Sequence, residues 1–227
     1  MTEFSPTARR EFLGQLALGA AAIAASACAP AALAAPGAAP VPKAALQKFD
    51  DSWVKRITGK HKAVFDAPEI ADGTIVSNAW VYLDGFKKVY DTTDADMSLV
   101  LVMRHGGIAL AFDDYVWEKY GIGKKEKVKD DATGKWARRN PFWKPEPGKG
   151  PNSFTLEAIA NRGAIMIGCN LAAHGFAAQL AAKGKEPNTE VAAEILTHLI
   201  PGVTLAPNGV FAVMRAQEAG CTYIRST

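Results

Sequence analysis

From about residue 60 onward, apolar runs alternate with amphipathic ones, and each run predicts an element. Lys62-Ala-Val-Phe-Asp66 reads as a short strand. Ile75, Ala79, Tyr82, Leu83 and Phe86 fall on one face of a helix that Thr74 can cap and that runs to about Tyr90. Ser98-Leu-Val-Leu-Val-Met-Arg104 is a near-continuous apolar run, which suits a strand buried on both faces. A helix is expected over Ala111–Tyr120, and another over Phe154–Arg162, ended by Gly163. Ala164-Ile-Met-Ile-Gly168 reads as a second buried strand, followed by a helix from Asn170 to Lys183. Thr189 can cap a helix to about His198, Val203–Ala206 is a short strand, and Asn208 can cap a helix that Gly220 stops after Ala219. Cys221-Thr-Tyr-Ile-Arg225 closes the chain as the last strand. This alternation predicts a single three-layer α/β sandwich with about five mostly parallel strands.

The rhythm breaks between residues 121 and 153. No apolar period is visible there, and Lys, Gly and Pro are frequent, with Trp136 and Trp143 among them. Loops this long inside a compact domain are usually lids, binding loops or inserts. Nine basic residues stand in this segment against four acidic ones. It therefore reads as a docking surface or lid for an anionic ligand or partner, or as a solvated loop.

Composition changes the picture at the N-terminus. Fifteen of the first 40 residues are alanine. Arg9-Arg10 followed by Glu11-Phe12-Leu13 resembles the signal of the twin-arginine export pathway. The uncharged stretch Leu16–Ala27 is about 12 residues, short of the ~20 that span a bilayer, so no stable membrane span is expected. Ala32-Leu33-Ala34 suits cleavage, which makes residues 1–34 a removable signal and 35–48 an Ala/Pro-rich tether. Residues 49–227 form the domain. The expected location is the bacterial periplasm, an oxidising compartment. A competing site before Cys28 would leave a lipid-anchored protein. The 227-residue chain carries a net charge of +3, too little for a dedicated nucleic-acid binder, and the insert alone holds an excess of five positive charges.

In an open parallel sheet, ligands bind beyond the carboxyl ends of the strands. Those ends carry Asp66, then Arg104-His105-Gly106-Gly107, then Cys169-Asn170, then Pro207-Asn208. Cys169 closes a strand and opens a helix, and the partial positive charge of a helix N-terminus favours the nucleophilic thiolate. His174, five residues on, and His105, at a second strand end, are candidates to pair with the thiol. Asp66, Gly106, Gly107, Asn170 and Asn208 are candidate ligand-binding residues. Cys169 is equally readable as a buried small hydrophobe. A disulfide from Cys169 to Cys221 is not expected, because one ends a parallel strand and the other begins one. His105, Cys169 and His174 offer three metal ligands on paper, but no Cys-x-x-Cys or His-x-x-x-His spacing supports a metal site, and none is expected. The chain has no Walker loop, no Gly-x-Gly-x-x-Gly and no nucleophile elbow, so no cofactor is expected.

Gly163-Ala-Ile-Met-Ile-Gly-Cys-Asn170, Leu199-Ile-Pro-Gly-Val-Thr-Leu-Ala-Pro-Asn-Gly-Val210 and Gln217-Glu-Ala-Gly-Cys-Thr-Tyr-Ile224 together resemble the DsrE/DsrF-like family. The strand ending at His105-Gly106 is similar to the family's second strand. This resemblance runs from about Lys62 to Ile224, broken by the insert. It implies a small α/β sandwich of flavodoxin-like layering, a homo- or hetero-oligomer, and, as in some members, sulfur carried as a persulfide on the residue matching Cys169. A sulfur donor or redox protein would then be the partner. The other reading is a non-enzymatic periplasmic module of the same fold that binds a small ligand or assembles with a redox enzyme.

Overall fold

The computed structural model describes residues 49–146, 148 and 154–227; the signal, the tether, Cys28 and the rest of the insert lie outside the described residues. Five strands form one sheet: β1 (His61–Ala67), β2 (Met97–Met103), β3 (Ile165–Cys169), β4 (Val203–Ala206) and β5 (Thr222–Arg225). Their order is β4-β3-β2-β1-β5, and every pairing is parallel. The layering is that expected from the alternating pattern. The strand order differs from the 2-1-3-4-5 of flavodoxin itself.

The order decides where the helices go. From β1 to β2, β2 to β3 and β3 to β4 the chain steps one strand at a time in one direction. Right-handed crossovers put all three connections on the same face. They include α1 (Thr74–Tyr90), α2 (Asp114–Lys119), α3 (Ile122–Lys125), α4 (Leu156–Asn161), α5 (Asn170–Gly184) and α6 (Asn188–Thr197). The fourth connection carries α7 (Gly209–Glu218) back across β3, β2 and β1 to reach β5, so the same handedness places it on the opposite face. Strand side chains divide accordingly. Leu99, Leu101 and Met103 pack with Ile75, Leu83, Phe176 and Ile195, whereas Val100, Val102, Ile165 and Ile167 pack with Ala212, Ala216 and Trp53. Every residue of β2 is buried, as its unbroken apolar run requires.

Several boundaries differ from the sequence expectation for identifiable reasons. Gly73, in a left-handed conformation, occupies the N-cap of α1, and the Thr74 hydroxyl donates back to the Ala71 carbonyl instead of capping. The helix expected over 111–120 is shorter and starts later, at Asp114. His105–Ala111 is a 3-10 segment, and Asp113, extended and accepting from the Val116 N–H at 3.2 Å, starts α2 afresh. Pro187, not Thr189, stands at the N-cap of α6. Asn208 does cap α7, accepting from the Phe211 N–H at 2.9 Å.

The segment that reads as a loop is anchored in the core. Ile122, Val128 and Ala137 are buried. An antiparallel bridge joins Lys129 to Trp136. Asn140 is wholly buried, and its amide donates to the carbonyls of Leu110 (2.9 Å) and Phe112 (2.8 Å). These bonds replace water for two carbonyls that the 3-10 segment leaves open. Among the described residues no helix is long and apolar enough to cross a membrane.

One polar tie joins α2 to α6. Glu194 receives Lys119 Nζ at 2.6 Å on each carboxylate oxygen, the Tyr115 hydroxyl at 2.6 Å, and the Tyr120 hydroxyl. Lys119 first, and then the two tyrosines, hold the Glu194 carboxyl down at about 2, from an ordinary 4.5. A depressed carboxyl contributes stability that is complete above its unfolded value and fades as the pH falls through the folded one. Glu194→Gln should therefore lower the urea midpoint at neutral pH and flatten its decline between pH 4.5 and 2; an unchanged acid limb would show that the tie contributes nothing.

Candidate active site

The reversal between the third and fourth connections opens the site. From β3 the chain leaves to the face of α5, and from the adjacent β4 it leaves to the face of α7. A crevice forms where neighbouring connections part to opposite faces, beyond the carboxyl ends of the strands. A cavity of about 560 Å³ lies there, lined by Cys169, Asn208, Gly209 and Val210 from the two strand exits. Arg104, His105 and Gly106 close it from the end of β2, and Ala172, Phe176 and Gln179 from α5.

Cys169 is the last residue of β3 and the N-cap of the 15-residue α5. Its Sγ accepts the Ala172 N–H at 3.2 Å, doing for this helix what a serine or aspartate oxygen usually does. The residue is 5% exposed, and what surface it has faces the cavity. His105 stands exposed at the rim with φ +47°, a left-handed conformation that costs a non-glycine residue about 1 kcal/mol. Strain held at a cavity rim is characteristic of residues whose placement matters.

Beneath the rim, Asp66 at the end of β1 receives Arg104 Nε at 2.7 Å, Arg104 Nη2 at 2.8 Å and the Tyr223 hydroxyl at 2.8 Å. This bidentate pair ties β1, β2 and β5 together at their carboxyl ends. The Asp66 carboxylate raises the Arg104 guanidinium above its ordinary value, while burial first and Asp66 second push the Tyr223 phenol up, so both remain donors. Gly209 lets the Arg104 stem pass, since a Cβ there would lie 2.6 Å from Arg104 Cβ.

The sequence candidates thus separate. Cys169, His105, Gly106 and Asn208 share the cavity. His174 does not join them. At about 100° per residue it stands well off the Cys169 face of α5, exposed, and outside the cavity lining. Asp66 is an internal partner of Arg104 rather than a lining residue. Gly107 is buried against the Ala67 carbonyl, where a Cβ would come within 2.1 Å, so it serves the backbone crossing. Asn170 is buried beside Cys169, its Oδ1 without a hydrogen-bond partner, and does not line the cavity. Among the described residues no three His, Cys, Asp or Glu side chains are placed to hold a metal ion. Lys125 and Glu126, an ion pair from the end of α3, complete the wall, with Lys125 Nζ 4.3 Å from the Phe176 ring centre. Helical period from Cys169 would have pointed to Ala172 and Phe176; nothing local points to Lys125 and Glu126.

Cys221 is a contrast. It lies just before β5, at the opposite end of the sheet and three strand positions from β3, roughly 14 Å across at usual strand spacing. Both cysteines are free. Burial pushes the Cys221 thiol up to about 11.

The chain gives no match to family models, curated proteins or solved structures.

Two outcomes are expected from this geometry. Iodoacetamide should label Cys169 in the native protein and Cys221 only after denaturation; equal labelling of both, read by peptide mass, would contradict the assignment. Asp66→Ala leaves the Arg104 guanidinium without its buried partner and should lower stability by about 3 kcal/mol in urea unfolding. A change below about 1 kcal/mol would show that water already satisfies the pair.

Proposed function

We propose that the protein is an exported sulfur carrier of the DsrE/DsrF type, with Cys169 as the residue that holds sulfur. The observation that carries this reading is the Sγ of Cys169, held by a helix N–H at 3.2 Å and facing the switch-point cavity. The Cys169 thiolate attacks the outer sulfur of a donor persulfide. A new S–S bond forms on Cys169, the donor's S–S bond breaks, and the donor leaves as a thiolate, with no net oxidation. The persulfide anion takes the place of the thiolate before the α5 N-terminus. His105, at the rim, exchanges the proton that accompanies the transfer. The donor is a partner protein or small persulfide in the periplasm, and the carrier works as an oligomer.

A second reading has its own support. Leu171, Phe176 and Val210 give the cavity an apolar wall, with Leu171 and Val210 largely exposed. That lining suits a small organic ligand held without covalent chemistry.

Mass spectrometry of protein purified without reductant separates the two. Sulfur carriage predicts a Cys169 peptide heavier by about 32 Da, one added sulfur, that dithiothreitol removes and Cys169→Ser abolishes. A thiol that stays unmodified after treatment with a persulfide donor would overturn the carrier and leave the ligand-binding module.

A further inference from the structure

A second hollow, of about 610 Å³, is lined by Gly121 and Lys124 at α3. Its floor is apolar: Trp117, Gly121, Gly134, Trp136 and Ala137. Its rim is basic, formed by Lys124, Lys129, Lys135 and Arg138, with Glu118 as the one acidic lining residue. Glu118 is already paired with Arg138. Lys124, Lys129 and Lys135 make no ion pair among the described residues. Trp136 remains 43% exposed, with Lys129 Nζ 5.7 Å from its ring centre.

We propose that this hollow docks an acidic peptide segment of a partner protein. Three unpaired ammonium groups around an exposed tryptophan cost the free protein repulsion and solvent-exposed apolar area, and an acidic segment removes both. Trp136 supplies the kind of aromatic anchor that carries binding energy at interfaces. The cations come from three places: Lys124 on α3, Lys129 and Lys135 on the two sides of the bridged hairpin, and Arg138 beyond it. Cations spread over separate segments suit carboxylates distributed along a chain better than a single compact anion. A compact phosphate is instead held by converging donors at the N-terminus of a longer helix, and α3 is only four residues long. A membrane surface fits less well, because the apolar floor at Trp117 and Ala137 is buried inside a hollow, out of reach of a planar bilayer face.

The hollow adjoins the proposed chemistry. Lys124 lines it, while the next two residues, Lys125 and Glu126, line the thiol cavity. A partner seated in the hollow therefore contacts the residue next to the Lys125–Glu126 wall of the thiol cavity. The docking itself does not depend on what Cys169 carries, and its test can fail or succeed separately.

The probe is a fluorescein-labelled peptide of alternating Glu and Asp with one central Tyr, titrated against the full chain and followed by anisotropy. Binding that weakens with added salt, exceeds that of the Gln/Asn version, and falls at least about tenfold in the combined Lys124→Gln, Lys129→Gln, Lys135→Gln variant supports the proposal. Trp136→Ala should also weaken it about tenfold. Unchanged urea midpoints in these surface variants keep folding out of the comparison. Equal binding of the neutral peptide, or binding indifferent to the lysines, overturns it. So does lysine-dependent sedimentation with phosphatidylglycerol vesicles in the absence of peptide binding.

Discussion

The handedness of the crossover connections is the constraint on which this structure depends. Four parallel connections must each turn right-handed, and the strand order makes three of them step one way and the last return. From that follow the thick helical layer on one face, the single helix α7 on the other, and the parting of the chain between β3 and β4. The cavity is the space left by that parting. No individual side chain creates it; side chains decide only what chemistry it can hold.

Cys169 stands at this point because it is both a strand end and a helix cap. A serine there would cap α5 as well or better. A cap alone therefore does not call for sulfur, and the proposed chemistry does. Cys221 is as buried as Cys169, but its thiol is pushed up and it does not line the thiol cavity. The Asp66–Arg104–Tyr223 cluster has a supporting part. It fixes the carboxyl ends of β1, β2 and β5 and so fixes the start of the turn that carries His105.

Local pattern made much of this legible. The 3.6-residue period of Ile75, Ala79, Leu83 and Phe86 marks α1 to its last residue, and the unbroken apolar run of β2 reports burial on both faces. The Asn208 cap and the strand-end position of Cys169 were also readable. What escaped depends on contacts between distant segments. Asp66 has the right address for a ligand, yet Arg104 and Tyr223 occupy it. His174 lies close in sequence to Cys169 but turns away around the helix axis. Residues 121–146 carry no period, because Ile122, Val128, Ala137 and Asn140 are each buried from a different turn. Their polarity conceals both the wall they give the thiol cavity and the hollow beside Trp136.

Under the proposed function one thiol, Cys169 at the switch point, holds the sulfur. Cold cyanolysis after loading with a persulfide donor measures sulfane sulfur directly. About one equivalent per chain is expected in the unsubstituted protein and in Cys221→Ser, with none in Cys169→Ser. Sulfane sulfur that survives Cys169→Ser, or that is lost in Cys221→Ser, would contradict it.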